Sequence, residues 1–291
     1  MTVSKFMKTK TASLLGKTVA ITGSTGGLGS ALVRHLAALG AELILLDRNE
    51  TKAKALEAAL LAECPDLKIT RIRVDMEDFD SVKAATEALL ASPPDYLILN
   101  AGAYHIPRHK TSIGYDNVFT INCISPYYMA RRLSGAIASR GGRIVAVGSI
   151  AHNYSKSDPD DLDFSTREKA SLVYGNAKRY LTYSLIETFK GTDTLAITHP
   201  GITFTNITSH YPKVIFAIIK HPMKVIFHST KKASLSILDG IFRPTGEGWT
   251  GPVLFNVWGV PKTRRLTTAK PDEIAYMAKT LDAIYQELLL K

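Results

Sequence analysis

Tyr174 and Lys178 lie four positions apart in a stretch with helical spacing of apolar residues, so their side chains project from one helix face. A phenol with a pKa of about 10 is a weak acid–base catalyst near neutral pH, and a neighbouring ammonium group favours its ionised form. The chain holds 12 tyrosines, and only Tyr174 has a lysine four positions later. The pair predicts a group that exchanges a proton with a substrate. An incidental pair on a helix surface is the alternative.

A glycine-rich segment forms a second candidate site. Residues 22–29 read TGSTGGLG, directly after a short apolar run and at the start of an amphipathic stretch. At such a strand-to-helix turn, backbone N–H groups and the helix dipole bind phosphate, and glycine lets the phosphate approach closely. A merely flexible turn is the alternative. The segment predicts a dinucleotide site whose contacts are Gly23, Ser24, Thr25, Gly27, Leu28 and Gly29.

Asp47 and Arg48 bear on the choice between NAD and NADP. Asp47 ends the second apolar run, 24 positions after Gly23. A carboxylate there accepts hydrogen bonds from the ribose hydroxyls and repels the 2′-phosphate of NADP, whereas the guanidinium of Arg48 would pair with that phosphate. Because the turn has no second basic residue, the sequence favours NAD as the cofactor, with NADP not excluded. For Asp47, a surface turn residue is the alternative.

Short apolar runs alternate with longer amphipathic stretches, a pattern typical of βαβ units. Strands are predicted at 18–21, 43–46, 69–74, 96–99, 144–147, 194–198 and 253–257, and helices at 28–39, 52–61, 81–90, 115–138 and 170–189. The predicted fold class is α/β, a single Rossmann-type domain with a doubly wound parallel β-sheet and helices on both faces. Residues 1–16 are predicted to be a basic N-terminal extension, 17–291 the NAD(P)-binding domain, and 206–243 a substrate-binding helical lobe within it.

Composition excludes several classes of protein. The 291 residues are 45% hydrophobic and 21% charged, which argues against disorder, collagen and coiled coil. Cys64 and Cys123 are too few for a disulfide framework, and the basic start lacks a signal-peptide pattern, so a cytoplasmic location is expected. We expect neither a transmembrane span nor a metal site, because the sequence lacks long uncharged apolar runs and metal-ligand spacing.

The net charge of +10 would favour anionic partners if it were concentrated on one face. The lysines are scattered, and we interpret them as solvated surface with no nucleic-acid partner. The segment 213–232 interleaves lysines with apolar residues, so peripheral contact with a membrane stays open.

Several motifs together resemble the short-chain dehydrogenase/reductase family. In chain order they are the glycine turn, Asn100-Ala101-Gly102, Asn122, Ser149, Tyr174-x-x-x-Lys178 and Pro200-Gly201, within about residues 17–205. The resemblance implies an oxidoreductase that transfers a hydride between a nicotinamide cofactor and a secondary alcohol or carbonyl substrate. A catalytically silent NAD(P)-sensing interaction protein is the alternative.

The resemblance also implies a role for each catalytic residue. Tyr174 would be the general acid/base, and Lys178 would lower its pKa and hold the ribose hydroxyls. Ser149 would hydrogen-bond the reacting oxygen, and Asn122 would support a water linked to the lysine. A turn hydroxyl is the alternative for Ser149, and a helix-interior amide for Asn122.

The other cofactor contacts implied by the resemblance lie near strand ends. Asp75 would receive the adenine amino group, with a helix N-cap as the alternative. His199 is interpreted as structural, and the sequence does not choose between Thr203 and Thr205. The remaining predicted contacts are Met76, Asn100, Ala101, Gly102, Pro200, Gly201 and Ile202, together with both threonines.

Ser149 and Tyr174 are 25 positions apart, wider than the usual family spacing, and residues 152–167 fill the gap. This is similar to the branch of retinol dehydrogenase-like oxidoreductases and implies a bulky lipophilic substrate. The apolar segments 214–219 and 225–227 would line such a pocket, with helix packing or a dimer contact as equal alternatives. The predicted partners are a small lipophilic alcohol or carbonyl compound and a second copy of the chain, in a homodimer or homotetramer.

Overall fold

One eight-stranded sheet forms the centre of the computed structural model, which describes residues 2–201, 229–246, 248–252 and 261–291. The strand order is β3-β2-β1-β4-β5-β6-β7-β8, and every pair is parallel except β7–β8. The order reverses between β1 and β4, which confirms the doubly wound α/β fold and opens a crevice there. The strands are β1 (Thr18–Thr22), β2 (Glu42–Asp47), β3 (Ile69–Arg73), β4 (Tyr96–Leu99), β5 (Arg143–Val147), β6 (Leu195–Thr198), β7 (Gly248–Gly251) and β8 (Lys262–Arg265).

Helices cover both faces of the sheet. Successive residues of a strand point to opposite faces, so Ala20 enters one buried cluster while Val19 and Ile21 enter the other. The helices are α1 (Val3–Lys10), α2 (Gly27–Ala38), α3 (Glu50–Glu63), α4 (Phe79–Ala91), α5 (Asn117–Phe119), α6 (Ser125–Ser139), α7 (Ala170–Thr188), α8 (Thr230–Phe242) and α9 (Pro271–Leu290). Helices α4, α6, α7 and α9 pack on the first face, and α1, α2, α3 and α8 on the second.

The predicted helix over 115–138 is interrupted. A π-helical turn, Thr120–Ile124, separates α5 from α6. The amide of Ser125 donates to the Thr120 carbonyl, five residues back, and Pro126 has no N–H with which to continue a regular ladder. The turn carries Asn122, and such π turns are frequent at functional sites.

The sequence misses the last part of the sheet. The predicted strand 253–257 lies outside the described residues, and β7 and β8 lie on either side of it. Strand β7 has the sequence GWTG and β8 has KTRR, so neither contains an apolar run. As an exposed antiparallel edge strand, β8 needs no apolar pattern.

The chain ends are more ordered than the sequence indicates. The basic extension 1–16 contains helix α1, whose Phe6 is fully buried. Helix α9 is unpredicted and packs along α7. Of the predicted lobe 206–243, residues 206–228 lie outside the described part, whereas α8 packs against α2 with Ile237 and Leu238 buried. None of the helices described is both long and apolar enough to cross a bilayer.

Candidate active site

A crevice of about 1030 Å³ lies at the carboxyl ends of the central strands. One end is the glycine turn after β1, and the other contains Tyr174 and Lys178 from α7. Among the predicted site residues that the structure describes, all line this crevice except Ser24 and Asn122, which are buried beside it. The predicted contacts Ile202, Thr203 and Thr205 lie outside the described residues.

The turn after β1 has the geometry of a phosphate cradle. A Cβ on Gly29 would lie 2.3 Å from the Gly23 carbonyl oxygen, and Gly23 itself has φ +70°, so both positions require glycine. Helix α2 begins after Gly26, which has no side chain to cap the helix. Backbone N–H groups at the start of α2 therefore border the crevice, and these residues fit the pyrophosphate of a dinucleotide.

Asp47 is engaged by that turn. Its buried carboxylate accepts hydrogen bonds from the Ser24 hydroxyl, from the Thr25 amide at 3.0 Å and from the Thr25 hydroxyl at 2.9 Å. Arg48 extends into solvent at the crevice edge, with its guanidinium 3.8 Å from the Asp75 carboxylate. The acid at this end is thus already hydrogen-bonded, while the base is accessible.

Residues after β3 and β4 complete the cofactor end. The Asn100 side chain donates to the Thr22 and Gly23 carbonyls, both at 3.0 Å, and so ties β4 to the turn after β1. Asp75 lines the crevice, and its alternative role as the N-cap of α4 is filled by Asp78, which accepts from the Asp80 and Ser81 amides.

Ser149 and Tyr174 meet at the opposite end. Ser149 follows β5 and caps a short 3₁₀ helix, Ile150–Asn153, by accepting from the Ala151 amide at 3.2 Å. Its hydroxyl also favours the ionised form of Tyr174 and so lowers the pKa of that phenol. The Tyr104 ring packs edge-on against Tyr174, with centroids 5.4 Å apart. The sequence gives no role to Tyr104, although it lies just after the Asn100-Ala101-Gly102 motif.

Lys178 lies beneath Tyr174. Its Nζ donates to the Val147 carbonyl at 2.9 Å and is 5.8 Å from the centre of the Tyr174 ring. Burial lowers the pKa of Lys178 to about 8 and raises that of Tyr174 to about 12, where the Ser149 hydrogen bond only partly opposes the rise. In the free protein, desolvation thus favours the neutral form of both groups. A lowering of the phenol pKa by Lys178 together with the oxidised cofactor stays a prediction.

Asn122 holds backbone segments beside the site through its side-chain amide. Its Nδ2 donates to the Ala103 and Val118 carbonyls at 2.8 Å, and its Oδ1 accepts from the Ala103 amide at 3.2 Å. A Cβ on Gly102 would lie 2.8 Å from this Oδ1 and 3.8 Å from the Lys178 Nζ. The Asn122 amide and the Lys178 amine therefore both lie near Gly102, and the part of Asn122 in a water-linked proton relay stays a prediction.

His199 lines the crevice and belongs to a buried aromatic group. Its ring centroid lies 5.4 Å from that of Trp249, and Trp249 also contacts His152 at 5.7 Å. Burial lowers the pKa of His199 to about 3, so the imidazole is neutral. Packing agrees with the structural interpretation of this residue.

Comparisons with known proteins point to one family. The sequence model of the family described as short chain dehydrogenase matches residues 17–157. Retinol dehydrogenase 14 from Homo sapiens is 30% identical over 256 residues, covering 78% of this chain and 76% of its own length. The Mus musculus protein of the same name is 32% identical over 212 residues, 67% of this chain and 64% of that protein.

A solved structure supports the same fold. A crystal structure of a protein from Mycobacterium Paratuberculosis has a TM-score of 0.67 to this chain at 24% sequence identity. The match covers 95% of this chain and 94% of that one. This likeness shows the fold. The curated relatives show that the chain belongs to the short-chain dehydrogenase family of NAD(P)-dependent oxidoreductases acting on CH–OH groups, within its retinol dehydrogenase-like branch.

Proposed function

We propose that this protein transfers a hydride between NADP(H) and a lipophilic alcohol or aldehyde or ketone, with Tyr174 as the general acid/base. The proposal rests on one observation, which is that two features lie in the same crevice. The glycine turn forms one end, and Ser149, Tyr174 and Lys178 meet at the other. A protein that only sensed the cofactor would have no use for the phenol.

Each catalytic side chain has a definite task in this proposal. Tyr174 removes the hydroxyl proton of an alcohol, or returns it to a carbonyl oxygen, while Ser149 donates a hydrogen bond to that oxygen. Lys178 stabilises the phenolate and binds the ribose hydroxyls, and Asn122 holds the neighbouring backbone in place. A bound nicotinamide cofactor supplies the hydride acceptor or donor. The Tyr104 ring packs edge-on against Tyr174 and covers one side of the phenol.

Asp47 and Arg48 lie where the cofactor preference is decided. The sequence favours NAD because a carboxylate at Asp47 can accept from the ribose hydroxyls. Both of its oxygens accept hydrogen bonds from Ser24 and Thr25, whereas Arg48 and Lys52 line the crevice with basic groups. Basic side chains at that edge support binding of the 2′-phosphate, and we therefore propose NADP(H) as the preferred cofactor.

The other end of the crevice indicates the class of substrate. Tyr104, Ile150, Ala151 and Tyr154 line it around Tyr174, and the relatives named above are retinol dehydrogenases. Aromatic and aliphatic walls favour an apolar substrate. Retinol and its aldehyde are therefore the first compounds to test.

Location and assembly also remain proposals. The two cysteines are free thiols, which agrees with a reducing, cytoplasmic compartment. Self-association as a homodimer or homotetramer stays a prediction that gel filtration with light scattering would check.

Turnover of retinol with NADP, and of its aldehyde with NADPH, tests the proposal. The absorbance of the reduced cofactor is followed for the wild type and for Tyr174→Phe, with NAD and NADH in parallel. We expect wild-type turnover, faster with the phosphorylated cofactor, and a loss of about 100-fold or more in the variant. Cofactor binding that persists without turnover of these or other lipophilic alcohols and ketones would instead support the sensing protein.

A further inference from the structure

Arg179, the residue after Lys178, is an arginine buried in the core. Its Nε and Nη2 donate to the two carboxylate oxygens of Glu273 at 2.8 and 2.7 Å, a two-point ion pair that joins α7 to the first turn of α9. Glu273 also accepts from the amide and hydroxyl of Ser157, at 3.2 and 2.8 Å. The carboxylate therefore holds the loop after β5 as well as the catalytic helix.

The other donors of Arg179 reach further segments of the chain. Nη1 donates to the His152 carbonyl at 2.9 Å, and Nη2 to the Thr268 carbonyl at 2.7 Å. The guanidinium also lies 5.2 Å from the centre of the Tyr183 ring. Charged donors in such a fork fix orientation more strongly than single contacts do. Arg179 thus joins α7, the loop after β5 and the segment before α9 at one point.

His152 extends these contacts to the catalytic serine. Its Nδ1 lies 2.5 Å from the Ser149 carbonyl oxygen, which can only accept, so Nδ1 carries the proton. Burial lowers the pKa of His152, which keeps the imidazole neutral. The ring is packed edge-on between Tyr183 and Trp249, with centroids 5.9 and 5.7 Å away. The ring therefore cannot turn away from Ser149 without losing both contacts.

We propose that Glu273, Arg179 and His152 are positioning residues, through which the C-terminal helix fixes Ser149 against Tyr174. The inference rests on the proposed function, since it assumes that Ser149 and Tyr174 perform the proton transfer. Ser149 lies at the start of a loop and needs support from outside that loop to keep its hydroxyl in place. The chain of contacts provides it at two points, the Ser149 and His152 carbonyls, while Ser157 is held by the same carboxylate.

Two variants interrupt this series of contacts at different places. In the double variant Arg179→Met with Glu273→Leu, both charges are removed, because replacing a whole buried pair with apolar residues is far better tolerated than stranding one partner. His152→Phe keeps the ring packing and removes the Nδ1 donor. A matched control is Arg131→Met with Asp282→Leu, which removes a 2.8 Å ion pair between α6 and the same C-terminal helix, away from the loop after β5.

The readouts separate positioning from a general loss of structure. We expect kcat with retinol and NADP to fall about 10- to 100-fold in both test variants, while KM and the cofactor Kd stay within about twofold. The control should keep wild-type kcat. The groups that face Tyr174 are Lys178 on its own helix, Tyr104 after β4 and Ser149 after β5. Because Ser149 lowers the pKa of Tyr174, its displacement should also move the pH profile of alcohol oxidation to higher pH in the test variants only.

Wild-type kcat and pH profile in His152→Phe and in the double variant would overturn the inference, as would an equal loss in the control. If the double variant does not fold, His152→Phe decides alone. Wild type and Tyr174→Phe are assayed in the same series. An active Tyr174→Phe would refute the proposed function, whereas an active wild type, an inactive Tyr174→Phe and an unaffected His152→Phe would refute only the positioning chain.

Discussion

The two ends of the crevice are built from different kinds of groups. At the cofactor end, glycine backbone and the start of α2 form the binding surface, and two exposed bases, Arg48 and Lys52, lie at its edge. At the catalytic end, Tyr174 and Lys178 have pKa values shifted in opposite directions by burial. The shape of the backbone determines binding at the cofactor end, whereas desolvation determines the pKa values at the catalytic end.

This difference has a chemical consequence. A backbone cradle binds phosphate at any pH where the protein is folded, since amide N–H groups do not titrate in that range. A buried phenol and a buried amine hold protons according to their surroundings, so their chemistry responds to pH and to bound charge. Substitutions at the cofactor end should therefore alter binding, and those at the catalytic end should alter turnover and its pH dependence.

Gly29→Ala should have the largest effect, because the added Cβ would lie 2.3 Å from the Gly23 carbonyl oxygen and the turn would have to open. We expect loss of measurable cofactor binding and destabilisation by about 1–3 kcal/mol, checked by calorimetric titration and thermal unfolding. Gly135→Ala is the matched control: it lies in α6 with open space around it and should stabilise the protein by about 0.5–1 kcal/mol. Normal binding in Gly29→Ala would contradict the cradle.

Lys178→Met should change how stability depends on pH. The folded protein holds Lys178 at a pKa of about 8, below its ordinary value of 10.5, so between these values the unfolded chain binds the extra proton. The contribution of Lys178 to the free energy of unfolding is thus complete above pH 10.5 and is lost as the pH falls through 8. Relative to the variant, the wild type should gain about 1–3 kcal/mol in unfolding free energy from neutral to alkaline pH, measured with urea. A constant difference between the two proteins would contradict the buried amine.

Arg48→Gln should have the smallest effect, limited to cofactor choice. Losing one charged contact with a 2′-phosphate should lower the ratio of kcat/KM for NADP over NAD by about 10- to 100-fold, with kcat nearly unchanged. Steady-state kinetics with both cofactors checks this. An unchanged ratio would contradict a role for Arg48 in cofactor choice and would favour NAD, with Asp47 as the residue that selects it.

Local signals made much of this architecture predictable. The boundaries of β4 agree with the sequence prediction, and β1 extends it by one residue, because short apolar runs and the glycine turn act over a few neighbouring positions. The spacing of Tyr174 and Lys178 likewise placed both on the crevice side of α7. These features need no knowledge of distant partners.

The features that the sequence did not predict depend on contacts between distant parts of the chain. Arg179 and Glu273 are 94 positions apart, and neither has a motif that announces the other. The hydrogen bonds that occupy Asp47 depend on how the turn folds back over β2, and the π turn at Asn122 depends on packing against α7. The pKa of Tyr174 follows from burial in the finished fold, which the spacing of two residues does not reveal.

The ionisation of Tyr174 with and without cofactor is the most direct measurement. Tyrosinate absorbance of the wild type minus that of Tyr174→Phe, followed against pH, isolates this one phenol. In the free protein it should ionise at a pKa of about 12, and saturating oxidised cofactor should lower that value by about one unit or more, because a positive ring and Lys178 then favour the phenolate. The same value in both states would mean that Tyr174 does not exchange its proton beside the cofactor.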